Sequence, residues 1–168
     1  MEGLVMATRS GSVDPGALLW VQRHSGLSVD EVERALEHES GVFGLSGISA
    51  DMRQILEAAA ENPRAALAVD VYVHRLCAGI AAMTSSLGGL DALVFTGGVG
   101  EGSAVIRAKA CGRLRFLGVE LDPGRNDSLG EKDADISPSD ARVRVLLVHA
   151  REDLEIAREV RRLVGARP

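Results

Sequence analysis

The chain has 168 residues, 46% of them hydrophobic, which is enough to bury a core in one domain or in one and part of another. Nineteen basic residues against 24 acidic ones give a formal net charge of -5, which argues against nucleic acid as a ligand. Any anion must then be held locally, and with only 3% aromatic residues the core must be aliphatic and close-packed.

The first eleven residues, MEGLVMATRSG, have no basic region followed by an apolar run, so no signal peptide is expected. Asp14 followed by Pro15 reads as an N-cap with proline in the first helical turn, opening a helix that ends near Gly26. Ser28 and Glu31 form the S-x-x-E capping box of a second helix over 29–39. The glycine-rich stretch SGVFGLSGIS (40–49) reads as a backbone-shaping loop, followed by a short helix over 50–61. Asn62 and Pro63 start a long helix over 63–86, with apolar residues on more than one face. Such a helix is buried against several partners, including a second subunit, and a charge at Val73 is expected to disrupt that association. Gly88 and Gly89 stop it. Asp70, His74 and Arg75 interrupt its apolar run, so no membrane span is expected. Cys77 and Cys111 lie in helical segments without metal or redox spacing and read as reduced core thiols, in keeping with a reducing cytoplasm.

DALVFTGG (91–98) is a short apolar run ending in glycine, the pattern of a buried strand. A helix over 103–113, a strand in FLGVELD (116–122), a polar surface excursion over 123–141, a strand over 143–149 and a closing helix over 152–164 complete the chain. This order predicts an α/β layered domain. Four glycines fall between positions 97 and 102, at the strand-to-helix junction. There the backbone can turn sharply and approach a ligand, and the amides and dipole of the next helix favour phosphate. The residues alone leave three readings open: a nucleotide phosphate site, a structural tight turn, or a dinucleotide site with Asp122 on the ribose. The Walker pattern is absent, because no Lys-Ser/Thr follows at its spacing.

Five segments, in order, resemble the acetate kinase family. GLVMATRSGSVDPGALLW, SGVFGLSGISADMR, LGGLDALVFT, VFTGGVGEGSAVIR with FLGVELD, and VLLVHAREDLEIAREV are similar to that family's motifs. The resemblance implies a ribonuclease-H-like fold of the actin-like ATPase superfamily, a layered sheet with helices on its faces. It also implies ATP and Mg2+ as cofactors, and phosphoryl transfer between ATP and a short-chain carboxylate such as acetate, giving an acyl phosphate. A cytoplasmic homodimer without nucleic-acid or membrane partners is expected with it. Residue by residue, Arg9 matches the family's active-site arginine, which stabilises the transferring phosphoryl charge. Asp51, Met52 and Arg53 match the adenosine-binding segment; Gly98, Val99, Gly100, Glu101 and Gly102 match the phosphate loop; Glu152 matches the glutamate associated with magnesium.

The chain departs from the motifs at Ala7 (usually glycine), Ser12 (aspartate), Gly102 (asparagine) and in HARED, which stands for P-T-N-E-E. His149 and Arg151 thus place two basic side chains beside the expected magnesium carboxylate. The resemblance begins well inside the family's second half, so residues 1–168 are expected to be its C-terminal nucleotide-binding domain, without the N-terminal domain. The expectation is therefore a kinase half that is inactive by itself; the alternative is a noncatalytic nucleotide-binding or dimerisation remnant.

Overall fold

Three helices begin where the sequence places their caps. In the computed structural model, which describes residues 2–128, 130 and 132–165, the Asp14 carboxylate accepts from Ala17 N at 2.9 Å and opens α1 (Pro15–Ser25). The Ser28 hydroxyl accepts from Glu31 N at 3.3 Å while the Glu31 carboxylate accepts from Ser28 N at 2.7 Å, a reciprocal cap on α2 (Val29–His38). Asn62 accepts from the amides of Arg64 and Ala65 and starts α5 (Pro63–Leu87), which Gly88 ends in the left-handed conformation at φ 72°. Each such cap contributes about 1 kcal/mol. Between α2 and α5 lie α3 (Gly41–Ser46) and α4 (Met52–Ala58). The expected loop at 40–49 is thus largely helical, because the chain enters α3 through Gly41 at φ 63°, where a Cβ would meet Met6 O at 2.3 Å.

The chain divides into two compact units. One comprises residues 1–90 and 109–117. Its core is formed by Val5, Val42, Met52 and Ile55 with one side of α5: Ala65, Ala68, Val69, Val73 and Cys77. Ala110, Cys111 and Leu114 are buried as well, and both cysteines are free thiols. α5 packs on α3 and α4, and is also long and apolar enough to cross a membrane by length and composition. Val73 is fully buried inside this unit, which corrects its expected place on an association surface. Val73→Asp should therefore destabilise the fold by more than about 4 kcal/mol, because it buries an unpaired charge. Met83→Asp, at a position 61% exposed on the same helix, should leave urea unfolding unchanged. Denaturation curves of the two variants check this contrast.

The other unit comprises residues 91–108 and 118–168. β1 (Ala92–Phe95) runs parallel to β3 (Arg144–Leu147), with Ala92 opposite Arg144 and Phe95 opposite Leu147. β2 (Ala134–Asp135) joins the other edge of β3 antiparallel, so the order is β1-β3-β2. The parallel pair is the α/β signature expected. In β1, Leu93 and Phe95 are buried while Val94 is half exposed, so this strand has one covered face, where burial on both was expected. The expected strand over 116–122 does not form. Residues 115–117 make a 3-10 turn, and only Val119 reaches the sheet, as a single bridge to Val143. Nor is 123–141 simply a surface excursion, since it contains α8 (Pro123–Asp127) and β2 and buries Asn126, Ile136 and Ser137. Leu129 and Glu131 of that stretch lie outside the described residues. Asp135 holds this return together: it accepts from Ser137 and pairs with Arg144, and these bonds lower its pKa to about 2.

Between the strands, α6 (Gly97–Gly102) and α7 (Ala104–Arg113) follow β1, and α9 (Glu152–Gly165) follows β3. α7 contributes residues to both units. The apolar positions of α9, Ile156, Val160, Leu163 and Val164, are all exposed among the described residues.

Candidate functional site

In the first unit, main-chain bonds position the segment that carries Arg9. Ser40 N donates to Thr8 O, Val42 N to Met6 O and Phe43 N to Ala7 O, at 2.9 to 3.0 Å. Ser10 N donates to Leu36 O at 3.0 Å and the Thr8 hydroxyl to Glu37 O at 2.9 Å. The loop before α3 is thereby fixed on both sides of Arg9, whose side chain is exposed and has no partner among the described residues. Asp51 caps α4 through Arg53 N at 2.9 Å and pairs with the Arg53 guanidinium at 2.6 Å. The hydrogen bonds from Arg53 hold the Asp51 carboxyl below its usual range. Met52 between them points into the core, 6% exposed. Asp51 thus serves both as the cap of α4 and as a surface ion-pair partner, and the Arg53 side chain stays 81% exposed.

In the second unit, the glycines expected to form a loop instead wind into the short helix α6 directly after β1. Gly97 has φ 74°, which only glycine adopts without strain and which turns the chain out of the strand. The Gly97 amide donates to Glu101 Oε1 at 2.7 Å. The next two amides, Gly98 and Val99, have no partner among the described residues, and a Cβ on Gly98 would meet nothing within 4 Å. Two donors unpartnered among the described residues thus lie in a segment with open space at Gly98, just past a strand's carboxyl end, an arrangement that suits an anionic oxygen. Gly102 is equally open, whereas a Cβ on Gly100 would touch Phe95 at 3.5 Å.

Two further contacts fix α6 in place. The Glu101 carboxylate also accepts from Ala150 N at 2.8 Å and from His149 Nδ1 at 2.9 Å, so it ties the glycine segment to the turn between β3 and α9. These bonds, Ala150 N foremost, hold the Glu101 carboxyl below its ordinary range. At the other end of α6, Arg107 lies 1% exposed. Its Nη1 donates to Gly100 O and Glu101 O, both at 2.7 Å, and its Nε to Asn126 Oδ1 at 2.7 Å. Asn126 in turn donates to Ala104 O at 3.1 Å. Sequence reasoning missed both Arg107 and Asn126. A signal was available for the first: at helical spacing Arg107 shares a face with Ala110, Cys111 and Leu114, all buried.

Glu152, at the start of α9, is exposed and makes no hydrogen bond or ion pair among the described residues. Both basic neighbours are neutralised: His149 by Glu101, and Arg151 by Asp133 at 3.0 Å. His149 is satisfied at Nδ1, while its Nε2 is buried and makes no hydrogen bond of ordinary geometry among the described residues.

The acetokinase family model matches residues 1–158 of this chain. The chain belongs to the acetokinase family. The acetate kinase of Gloeobacter violaceus is 54% identical over 160 residues, covering 95% of this chain and 39% of that protein. The acetate kinase of Nostoc punctiforme is 52% identical over 158 residues, covering 94% and 39%. Among solved structures, the acetate kinase of Porphyromonas gingivalis superposes with a TM-score of 0.88 at 39% identity, over 94% of this chain and 40% of that one. A propionate kinase from Francisella tularensis gives 0.85 at 34% identity, with coverage of 94% and 40%. The chain thus spans about two fifths of the length of these relatives. Their likeness supports the α/β, actin-like ATPase fold class.

The acetokinase resemblance implies magnesium, and the donor set decides in what form it fits. No group of three or more His, Cys, Asp or Glu side chains forms a metal cage among the described residues. Magnesium usually takes one or two carboxylates with water and substrate phosphates. The carboxylate of Glu152, unpartnered among the described residues, suits an ion that arrives with a nucleotide.

Proposed function

We propose that this chain is the C-terminal nucleotide-binding portion of an acetate kinase, acting in the cytoplasm on ATP or ADP and a short-chain carboxylate, acetate in particular. The observation that carries this reading is the β1–α6 junction, with its two unpartnered amides and open approach at Gly98. Family membership supplies the reaction class. A carboxylate oxygen attacks the γ-phosphorus of ATP, the bond from that phosphorus to the bridging oxygen breaks, ADP leaves with that oxygen and its electron pair, and an acyl phosphate is formed.

Each residue then has a role. The amides of Gly98 and Val99 receive phosphate oxygens, and the open backbone at Gly98 and Gly102 lets them approach, with Gly100 between them in the same segment. Glu101 holds that segment in place. Arg9 presents a planar fork to the phosphoryl group in transfer, where fixed positive charge acts most strongly. Asp51 and Arg53 border the adenosine, with Met52 between them holding the segment on the core. Glu152 would hold magnesium, which when bound neutralises phosphate charge and polarises the transferring group. The proposed assembly is a homodimer.

Titration calorimetry with ATP and magnesium, paired with an acyl-phosphate assay, tests this reading. The chain should bind ATP and form acyl phosphate only when the remaining length of the family's enzyme is supplied. Absence of ATP binding would favour the alternative, a noncatalytic remnant of the family, for which the mutual pairing of Asp51 and Arg53 already speaks.

A further inference from the structure

The turn between β3 and α9 departs most from the acetokinase motif, and its two new basic side chains are both paired. His149 stands where the motif has proline, and Arg151 where it has asparagine. Proline could donate neither of the two bonds His149 makes: Nδ1 to Glu101 Oε2 at 2.9 Å, and the main-chain N–H to Asp133 Oδ1 at 2.9 Å. Arg151 adds a bond to Asp133 Oδ2 at 3.0 Å. The same Glu101 carboxylate accepts from Gly97 N and Ala150 N, so the imidazole is one bond removed from the first amide of the glycine segment.

We propose that His149 is a positioning residue for the glycine segment: its charged ring fixes the Glu101 carboxylate that clamps Gly97, so that nucleotide affinity follows the protonation of His149. The proposal rests on the reading that this segment binds nucleotide. Among the described residues, the charged groups that face His149 are Glu101 from α6 and Asp133 from the stretch before β2, with Arg151 paired to Asp133. The hydrogen bond with Glu101 is the largest cause raising the His149 pKa above 6.5, against partial burial, and the Gly130 main chain and Asp133 add to it. The Glu101 pKa is lowered below 4.5. The signs follow from linkage. The clamp's stabilisation from His149 is complete below 6.5 and is lost as the pH rises through the raised value. That from Glu101 is present above 4.5 and is lost as the pH falls through the lowered value. Between these limits the bond is charge-assisted at both ends, and above them a neutral ring donates more weakly.

Nuclear magnetic resonance titration of the wild type and His149→Gln from about pH 5 to about pH 9, with ATP titrations across the same range, tests the coupling. In the wild type the Gly97 and Ala150 amide shifts should follow the ring with a midpoint above 6.5, and ATP affinity should fall about fivefold through that midpoint. In His149→Gln both dependences should disappear, leaving only the ionisation of ATP's own terminal phosphate, which titrates near this range. Amide shifts in the wild type that ignore the ring would overturn the proposal, and so would an identical pH dependence of affinity in both proteins. If the wild type binds no ATP at any pH, the nucleotide reading fails, and the amide titration alone decides whether His149 positions the segment.

Discussion

Replacing Arg107 with methionine is expected to destabilise the protein by about 3–5 kcal/mol, the largest stability effect among the polar side chains described. The side chain is 1% exposed, and its guanidinium serves the carbonyls of Gly100, Glu101 and Asn126 and the amide oxygen of Asn126. Methionine fills a similar volume and removes the cost of burying a cation, yet it strands those four acceptors. An unsatisfied buried polar group costs about 1–3 kcal/mol, and the half-buried α6 carbonyls recover part of this by hydration. Arg107→Lys keeps the charge but loses the planar fork, and should fall between the two. Urea unfolding of the three proteins measures this order. A loss below about 1 kcal/mol in the methionine variant would show that the carbonyls find other donors.

Gly98→Asp is expected to weaken ATP binding about 100-fold or more while leaving the melting temperature of the free protein unchanged. A Cβ at this position meets nothing within 4 Å, so the substitution is sterically silent. The new carboxylate, however, occupies the approach to the Gly98 and Val99 amides. At about 4 Å from a phosphate oxygen in a surface cleft, like charges repel by several kcal/mol, far more than a lost van der Waals contact. Gly98→Ala, which adds bulk without charge, should cost much less. Calorimetric titration distinguishes them: equal losses would place the effect in sterics, and no loss in either would remove the segment from the phosphate site. Gly100 is a poorer probe, because its Cβ would lie in van der Waals contact with Phe95 and not in open space.

The family was legible in the sequence because five ordered motifs carry it, and so were most helix boundaries. Asp14, Ser28 with Glu31, Asn62 and Gly88 set their caps by bonds spanning two to five residues, so the local sequence contains both partners. The segment 116–122 shows where local reading stopped. Its apolar residues suit a strand, but pairing needs a partner far along the chain, and only Val119 finds one in Val143. The expected site residues were placed without their contacts. Arg107 went unread in the sequence, because its burial is made tolerable by partners such as Asn126, nineteen residues away.

The same division holds for HARED. By itself the sequence determined that His149 and Arg151 sit beside Glu152, and charge alone suggested conflict with a cation there. Only the tertiary structure decided that Glu101, forty-eight residues distant, and Asp133 neutralise the pair. Helix caps and turns are short-range and therefore written in adjacent residues. The neutralisation of a buried or crowded charge is a long-range event, settled when distant segments meet.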